Sequence, residues 1–351
     1  MTSTEHQEFT ASVRALLTKY AGSAAVRAAM DTELGYDRAL WQRLCDQIGV
    51  AALAIPEEYG GIGASLVESL LVVGELGRTL AGVPMLGSAV LGAQAVLLSA
   101  DDEACARLLP EVAAGTRTLA VCWAGDNGWD EPGVHESGGT LTGTTGYVLD
   151  GSVADTLIVV TPTGLFEVDP AATGVTRRVV PTMDPTRKLT EISFATVEAR
   201  RLGAADPQPA IARLREIAWA AIAAEQVGAA EHCLTMTVEY TKSRVQFGRP
   251  IGSFQALKHR MADMYVLLES AKSASAAATL AVAEQTPGAA EDVWVARLHC
   301  SDALTAIVAE TVQLHGGIAI TWEHDAHLFF KRAHGTAHLF GTPSRPVAHS
   351  S

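Results

Sequence analysis

Two segments hold the residue types best suited to bind a phosphate-bearing ligand. The first is Arg244-Val245-Gln246-Phe247-Gly248-Arg249-Pro250-Ile251-Gly252-Ser253-Phe254-Gln255, and the second is Gln313-Leu314-His315-Gly316-Gly317-Ile318. Each falls where one long helical pattern stops and the next begins, and helix ends leave backbone N–H groups unpaired for an anion. An arginine fork matches phosphate geometry. Glutamine offers both donor and acceptor, and glycine lets a backbone come close to a ligand. Taken singly, plainer readings compete. A cation is favoured at a helix C-terminus in any case, and Gly316-Gly317 is a normal helix cap. The continuous run from Arg244 through Lys258-His259-Arg260-Met261-Ala262-Asp263-Met264 outweighs those readings.

Other candidates fall away. His259, His299, His315, His324 and His327 lack acids at ligand spacing and read as surface or helix-end histidines. Gly125-Asp126-Asn127-Gly128 offers too few oxygen ligands for a metal and reads as a turn. The cysteines Cys45, Cys105, Cys122, Cys233 and Cys300 are scattered and odd in number, which fits reduced thiols and a cytoplasmic location. No metal site is expected.

The elements that must position these residues follow from periodicity. Residues 1–116 read as a helical domain. Leu40, Trp41, Leu44 and Ile48 share one helix face there, and Leu66 to Leu80 is apolar on several sides. Residues 117–203 contain short β-rich runs separated by Gly, Pro, Asp and Thr, the pattern of a small antiparallel β-domain. Residues 204–351 read as an up-and-down helical bundle. Its first helix should start with Asp206 as cap and Pro207 inside, and run to about Lys242; Ser253 should cap the second, and Thr286-Pro287 should start the third. The fold class is therefore α+β and multidomain.

Composition sets the limits. The chain has 351 residues, 48% hydrophobic and 19% charged, which fits an ordered multidomain protein. A net charge of −13 argues against non-specific nucleic-acid binding. No signal peptide and no membrane span are expected from the N-terminus and the apolar runs.

The two opening segments in this order, followed by Thr321-Trp322-Glu323-His324-Asp325, strongly resemble the acyl-CoA dehydrogenase family of flavoproteins. Leu40-Trp41 through Pro56-Glu57-Glu58-Tyr59-Gly60-Gly61 resembles the family's N-terminal helical domain. The resemblance implies an acyl-CoA substrate, an FAD cofactor, an electron-transfer acceptor, and desaturation at Cα–Cβ. It implies that Arg244 holds the pyrophosphate of an FAD bound mainly to a neighbouring subunit, and that Gln313, Gly316 and Gly317 support the adenosine end. Gln246, Phe247, Phe254 and Gln255 belong to the same implied cofactor surface.

Three departures from the family pattern shape the expectation. Ala120-Val121-Cys122-Trp123-Ala124-Gly125-Asp126 stands where the flavin loop is expected. Tyr147-Val148-Leu149 stands where a hydroxyl should reach the flavin ring. The two places where the family keeps its catalytic base hold Phe340, within Leu339-Phe340-Gly341-Thr342, and Ala218. Glu216 lies two positions from Ala218, about 200° around a helix, and so faces another way. The chain is also expected to stop short of the family's last helix. The pattern implies a degenerate partner in a heteromeric enzyme, paired with a paralogous acyl-CoA dehydrogenase subunit; bulky substrates, steroid-derived thioesters among them, go with that architecture in the family. The alternatives are a self-sufficient homotetramer with a relocated base (Glu216, Glu225, Glu323 or Asp325), a scaffold that binds no flavin, and a flavin-dependent oxygenase of the same fold.

Overall fold

The chain begins with helices whose ends follow capping chemistry. The structure, a computed structural model, describes residues 3–203 and 206–341. Helices α1 (Ser3–Tyr20), α2 (Ser23–Met30), α3 (Arg38–Ile48), α4 (Leu66–Thr79), α5 (Ala93–Leu98) and α6 (Asp102–Ala113) form the N-terminal part. The Asp37 side chain caps α3, accepting from Ala39 and Leu40, and Gly49 closes it in the left-handed conformation. Ser65 and Glu68 form a reciprocal capping box on α4. A π-helical segment, Met85–Gly92, leads into α5.

Ten strands follow: β1 (Leu119–Cys122), β2 (Ala124–Gly125), β3 (Gly128–Pro132), β4 (Val134–Ser137), β5 (Thr140–Leu149), β6 (Thr156–Thr161), β7 (Gly164–Val168), β8 (Val175–Val180), β9 (Leu189–Glu198) and β10 (Arg200–Leu202). They form a sheet of order β1-β6-β7-β10 and a second of order β3-β2-β5-β9-β8, with β4 also on β5. The expected antiparallel pairing holds except at β1 and β6, which run parallel. Residues 140–149, where short runs at 140–142 and 147–149 were expected, form one long bulged strand. Asp126 and Asn127 lie in the turn between β2 and β3, as expected. Cys122, Leu157, Val159, Phe166, Ile192 and Phe194 pack into the core shared by the two sheets.

The last part is the bundle: α7 (Gln208–Ser243), α8 (Gln255–Glu284), α9 (Ala289–His315) and α10 (Ala326–His338). A hairpin of β11 (Val245–Gln246) and β12 (Arg249–Pro250) joins α7 to α8. Helix starts differ slightly from expectation. Asp206 accepts from Gln208 N–H, but the helix begins at Gln208, after Pro207. Ser253 does not cap α8; its hydroxyl donates to the Pro250 carbonyl at 2.6 Å, and Phe254 takes the cap position. Gly288 precedes α9, one residue beyond Thr286-Pro287.

Helix α4 crosses α7 on small residues. A Cβ at Gly228 would lie 1.9 Å from the Gly74 carbonyl oxygen, and one at Gly77 would lie 2.2 Å from that of Glu225. The two backbones are therefore in direct contact, which locks the N-terminal helices to the bundle. Gln255–Glu284 and Ala289–Ile320 are long and apolar enough to cross a membrane by length and composition, though neither is free of charged residues. Here they pack against each other and against α7 as bundle helices.

Candidate functional site

The ends of α7, α8 and α9 meet at one end of the bundle. The Tyr240 hydroxyl donates to the His315 carbonyl at 3.2 Å, and the two rings stack 4.4 Å apart. Arg260, on α8, donates to Glu310 on α9. This places Arg244 and the Gln313-Gly316-Gly317 turn on the same end.

Arg244 closes α7 with an extended backbone. Its backbone is held by Tyr240 and Ile251, while its guanidinium is exposed and has no partner among the described residues. Gln246 is exposed as well, its amide donating to the neighbouring Val245 carbonyl at 3.0 Å. Phe247 and Gly248 both adopt positive φ, 53° and 77°, and so make the tight two-residue turn of the hairpin. A phenylalanine in that conformation is strained, and it leaves the ring 92% exposed. Phe254 packs edge-on against Phe247 and takes the Arg249 guanidinium over its face at 4.1 Å. Gln255, Gln313, Gly316 and Gly317 are exposed. Nothing lies within 4 Å of a Cβ built at Gly316 or Gly317, so this backbone is open to an approaching ligand. The same end exposes Val245, Ile318, Ile320 at 74% and Trp322 at 61%.

The second cluster gathers the departures found in the sequence. Phe340 is 4% exposed and packs on Trp129 at 4.7 Å between ring centroids. Trp129 also meets Trp123 edge-on at 6.0 Å and stacks on Tyr147 at 6.3 Å. The Trp219 indole donates to the Phe340 carbonyl at 2.9 Å. Arg215 lies over Trp123 and donates to the Trp129 carbonyl. Ala218 is fully buried one residue from Trp219. Thr342 lies outside the described residues.

Each acid weighed as a relocated base has a partner or a solvent setting. Glu216 accepts from Arg213 at 2.9 Å, beside an open groove of about 390 Å³ lined by Asp130, Arg215 and Trp219. Asp325 accepts from Ser23 and Arg27. Glu323 is exposed. Glu225 is buried between Arg187 and Arg332; burial opposes its charge, but the two guanidinia hold its carboxyl below the ordinary range.

The sequence did not signal the network around Glu225. Arg332 donates to Asp184 at 2.5 Å, to Glu225 at 2.7 Å and to Thr186. Beside it Asp150 stands in a cavity of about 60 Å³ with Tyr36, Gly87, Arg187 and Glu225. Burial pushes the Asp150 carboxyl up to about 7, with Arg187 opposing. His315 and His327 stand at helix ends, as expected, and both are buried there. His315 Nδ1–H donates to the Thr311 carbonyl at 2.7 Å, leaving its buried Nε2 without a partner.

Comparison with known proteins decides the family. The acyl-CoA dehydrogenase N-terminal domain model matches residues 3–116, and the acyl-CoA dehydrogenase C-terminal domain model matches residues 216–344. The chain belongs to the acyl-CoA dehydrogenase family. It is 46% identical to the acyl-CoA dehydrogenase IpdE2 of Mycobacterium tuberculosis over 339 residues, covering 97% of this chain and 94% of that one. A solved structure of the ChsE4–ChsE5 complex from the same organism superposes with a TM-score of 0.89 at 30% identity, over 97% of this chain and 95% of that one. A Tcur3481–Tcur3483 steroid acyl-CoA dehydrogenase variant does so with a TM-score of 0.87 at 30% identity, over 96% and 94%. The family is FAD-dependent. On this acyl-CoA dehydrogenase the bundle end fits part of such a cofactor, since it offers a guanidinium with no partner among the described residues, three glutamine amides and open glycine backbone. The aromatic cluster does not fit a flavin ring, because its rings already fill one another's faces.

Proposed function

We propose that this chain is the non-catalytic partner subunit of a heteromeric acyl-CoA dehydrogenase that desaturates an acyl-CoA thioester at Cα–Cβ. In this reading Arg244 neutralises the pyrophosphate of an FAD enclosed mainly by a paralogous subunit. Gln246, Phe247, Phe254 and Gln255 complete that contact, and Gln313 with Gly316 and Gly317 receives the adenosine end. When bound, the flavin would supply the acceptor for the hydride from Cβ and a route for its electrons to an external acceptor. The α-proton must go to a carboxylate on the partner, since Phe340 and Ala218 have no group able to take it. The two solved relatives, a ChsE4–ChsE5 complex and a Tcur3481–Tcur3483 steroid acyl-CoA dehydrogenase, support a paired assembly and a bulky thioester. Five free thiols fit a reducing, cytoplasmic setting.

The observation that carries the reading is the unpartnered Arg244 guanidinium beside exposed Val245 and Phe247. An arginine that serves its own fold normally finds a carboxylate, as Arg332 does. The test is co-expression with a paralogous dehydrogenase subunit. The lone chain should purify colourless, and the complex yellow and active on acyl-CoA. Arg244→Ala should lower the flavin content of the complex by about tenfold or more, the loss of a charge-assisted bidentate contact, with the melting temperature of the lone chain unchanged. A lone chain that is yellow and oxidises acyl-CoAs would overturn the proposal.

A further inference from the structure

Trp129 holds a place that motif reading passed over. Three segments that resemblance assigns to the flavin ring and its chemistry come from distant parts of the sequence: 120–126, 147–149 and Phe340. In the fold they converge on this one side chain, through Trp123, Tyr147 and Phe340. We infer that Trp129 and Phe340 plug this chain's own ring site, so that a planar heterocycle is shut out by packing and not merely held badly for lack of hydrogen bonds. The inference rests on the reading of this chain as the partner subunit and gives that reading a physical cause.

The spacing makes the argument. A flat ring slid between two others needs about 3.5 Å on each face, roughly 7 Å in all. The one stacked pair in the cluster, Trp129 on Tyr147, has its centroids 6.3 Å apart, too close to admit a third ring. The edge of the Trp123–Trp129 contact at 6.0 Å and the tilted Phe340 ring at 4.7 Å occupy the other approaches to Trp129. The backbone is also committed to this arrangement. Tyr147 and Phe340 both adopt positive φ, 56° and 61°. Neither is glycine, so each conformation is held against its own preference by what surrounds it. Strand β5 bulges between Thr145 and Val148, and this lays the Tyr147 ring, 52% exposed, over Trp129. On the other side the Trp219 indole fastens the Phe340 carbonyl, and Arg215 fastens that of Trp129 at 2.6 Å. A Cβ at Gly341 would lie 3.3 Å from Trp129 Cβ, so the next residue packs tightly as well.

Lumiflavin, the bare flavin ring without its phosphates, tests the plug by itself. It is titrated into the full-length chain, alone and in complex, and binding is followed by quenching of its fluorescence. The wild-type chain should leave it unquenched. Trp129→Ala combined with Phe340→Ala should bind it at least about tenfold more tightly, the worth of restored aromatic stacking. Equal binding by wild type and double variant, or none by a double variant with native circular dichroism, would overturn the plug. If the double variant unfolds, Tyr147→Ala decides. It strips only the exposed cover of Trp129 and should raise acrylamide quenching of tryptophan fluorescence about twofold; unchanged quenching would overturn the stacked arrangement. The two readings fail separately. A plug confirmed by lumiflavin while Arg244→Ala leaves the partner's flavin intact would leave the plug standing and remove the donor role.

Discussion

Arg244 and Asp150 are charged groups in contrasting surroundings. Arg244 is exposed and unpaired, whereas Asp150 is half-buried, its carboxyl directed at Gly87: a Cβ there would lie 2.3 Å from Asp150 Oδ2. The ordinary value for this carboxyl is 3.8, and burial raises it to about 7. A carboxyl raised on folding stabilises the protein only while it keeps its proton. That contribution is complete below about 3.8, falls as the pH rises, and is gone above about 7. Asp150→Asn should therefore match the wild type in melting temperature at pH 4 and exceed it at pH 8. Parallel melting curves across that range would refute this account of Asp150. The motif run from residue 244 and its place at a helix end revealed the clamp arginine, but nothing in the sequence around Asp150 revealed its burial, because the Gly87 backbone that covers it lies in another part of the fold.

At the scale of elements, two joints hold the parts together. One is the buried network in which Arg332 of α10 reaches Asp184 and Glu225. Removing Arg332 leaves the buried Asp184 without its arginine and Glu225 with Arg187 alone, and breaking a buried ion pair costs about 3–5 kcal/mol. Arg332→Leu should lower the stability measured by urea unfolding by that amount, and a change below about 1 kcal/mol would show the network to be dispensable. The other joint is the α4–α7 crossing. Gly228→Ala drives a methyl against the Gly74 carbonyl, and overpacking of this kind costs about 1–3 kcal/mol. The variant should unfold at correspondingly lower urea. The helices themselves were readable from apolar spacing and caps. Their joints were not, since Arg332, Asp184 and Glu225 are far apart in sequence and carry no mutual signature.

At the scale of the whole molecule, the bundle end gathers Val245, Phe247, Ile318, Ile320 and Trp322, all exposed. Aromatic residues at such density mark binding surfaces more than solvated ones. The lone chain should self-associate weakly through this end, and a partner subunit should displace that association. Phe247→Ser with Trp322→Ser should weaken assembly with the partner by at least about tenfold in sedimentation, the loss expected for an interface anchor. Assembly unaffected by both changes would place the interface elsewhere.

Residue order alone carried the succession of helical, β and helical parts, the motif at residues 244–255, the glycine turn at 316–317, and the substitutions at Phe340 and Ala218. These are local properties: side-chain period, caps, turns and residue identity at a motif position are all written within a few tens of residues. It took the folded molecule to gather Trp123, Trp129, Tyr147 and Phe340 into one cluster, to clasp Glu225 between two arginines, and to run β1 parallel to β6. Those are contacts between segments distant along the chain. They depend on how packed layers are stacked, which no local pattern encodes.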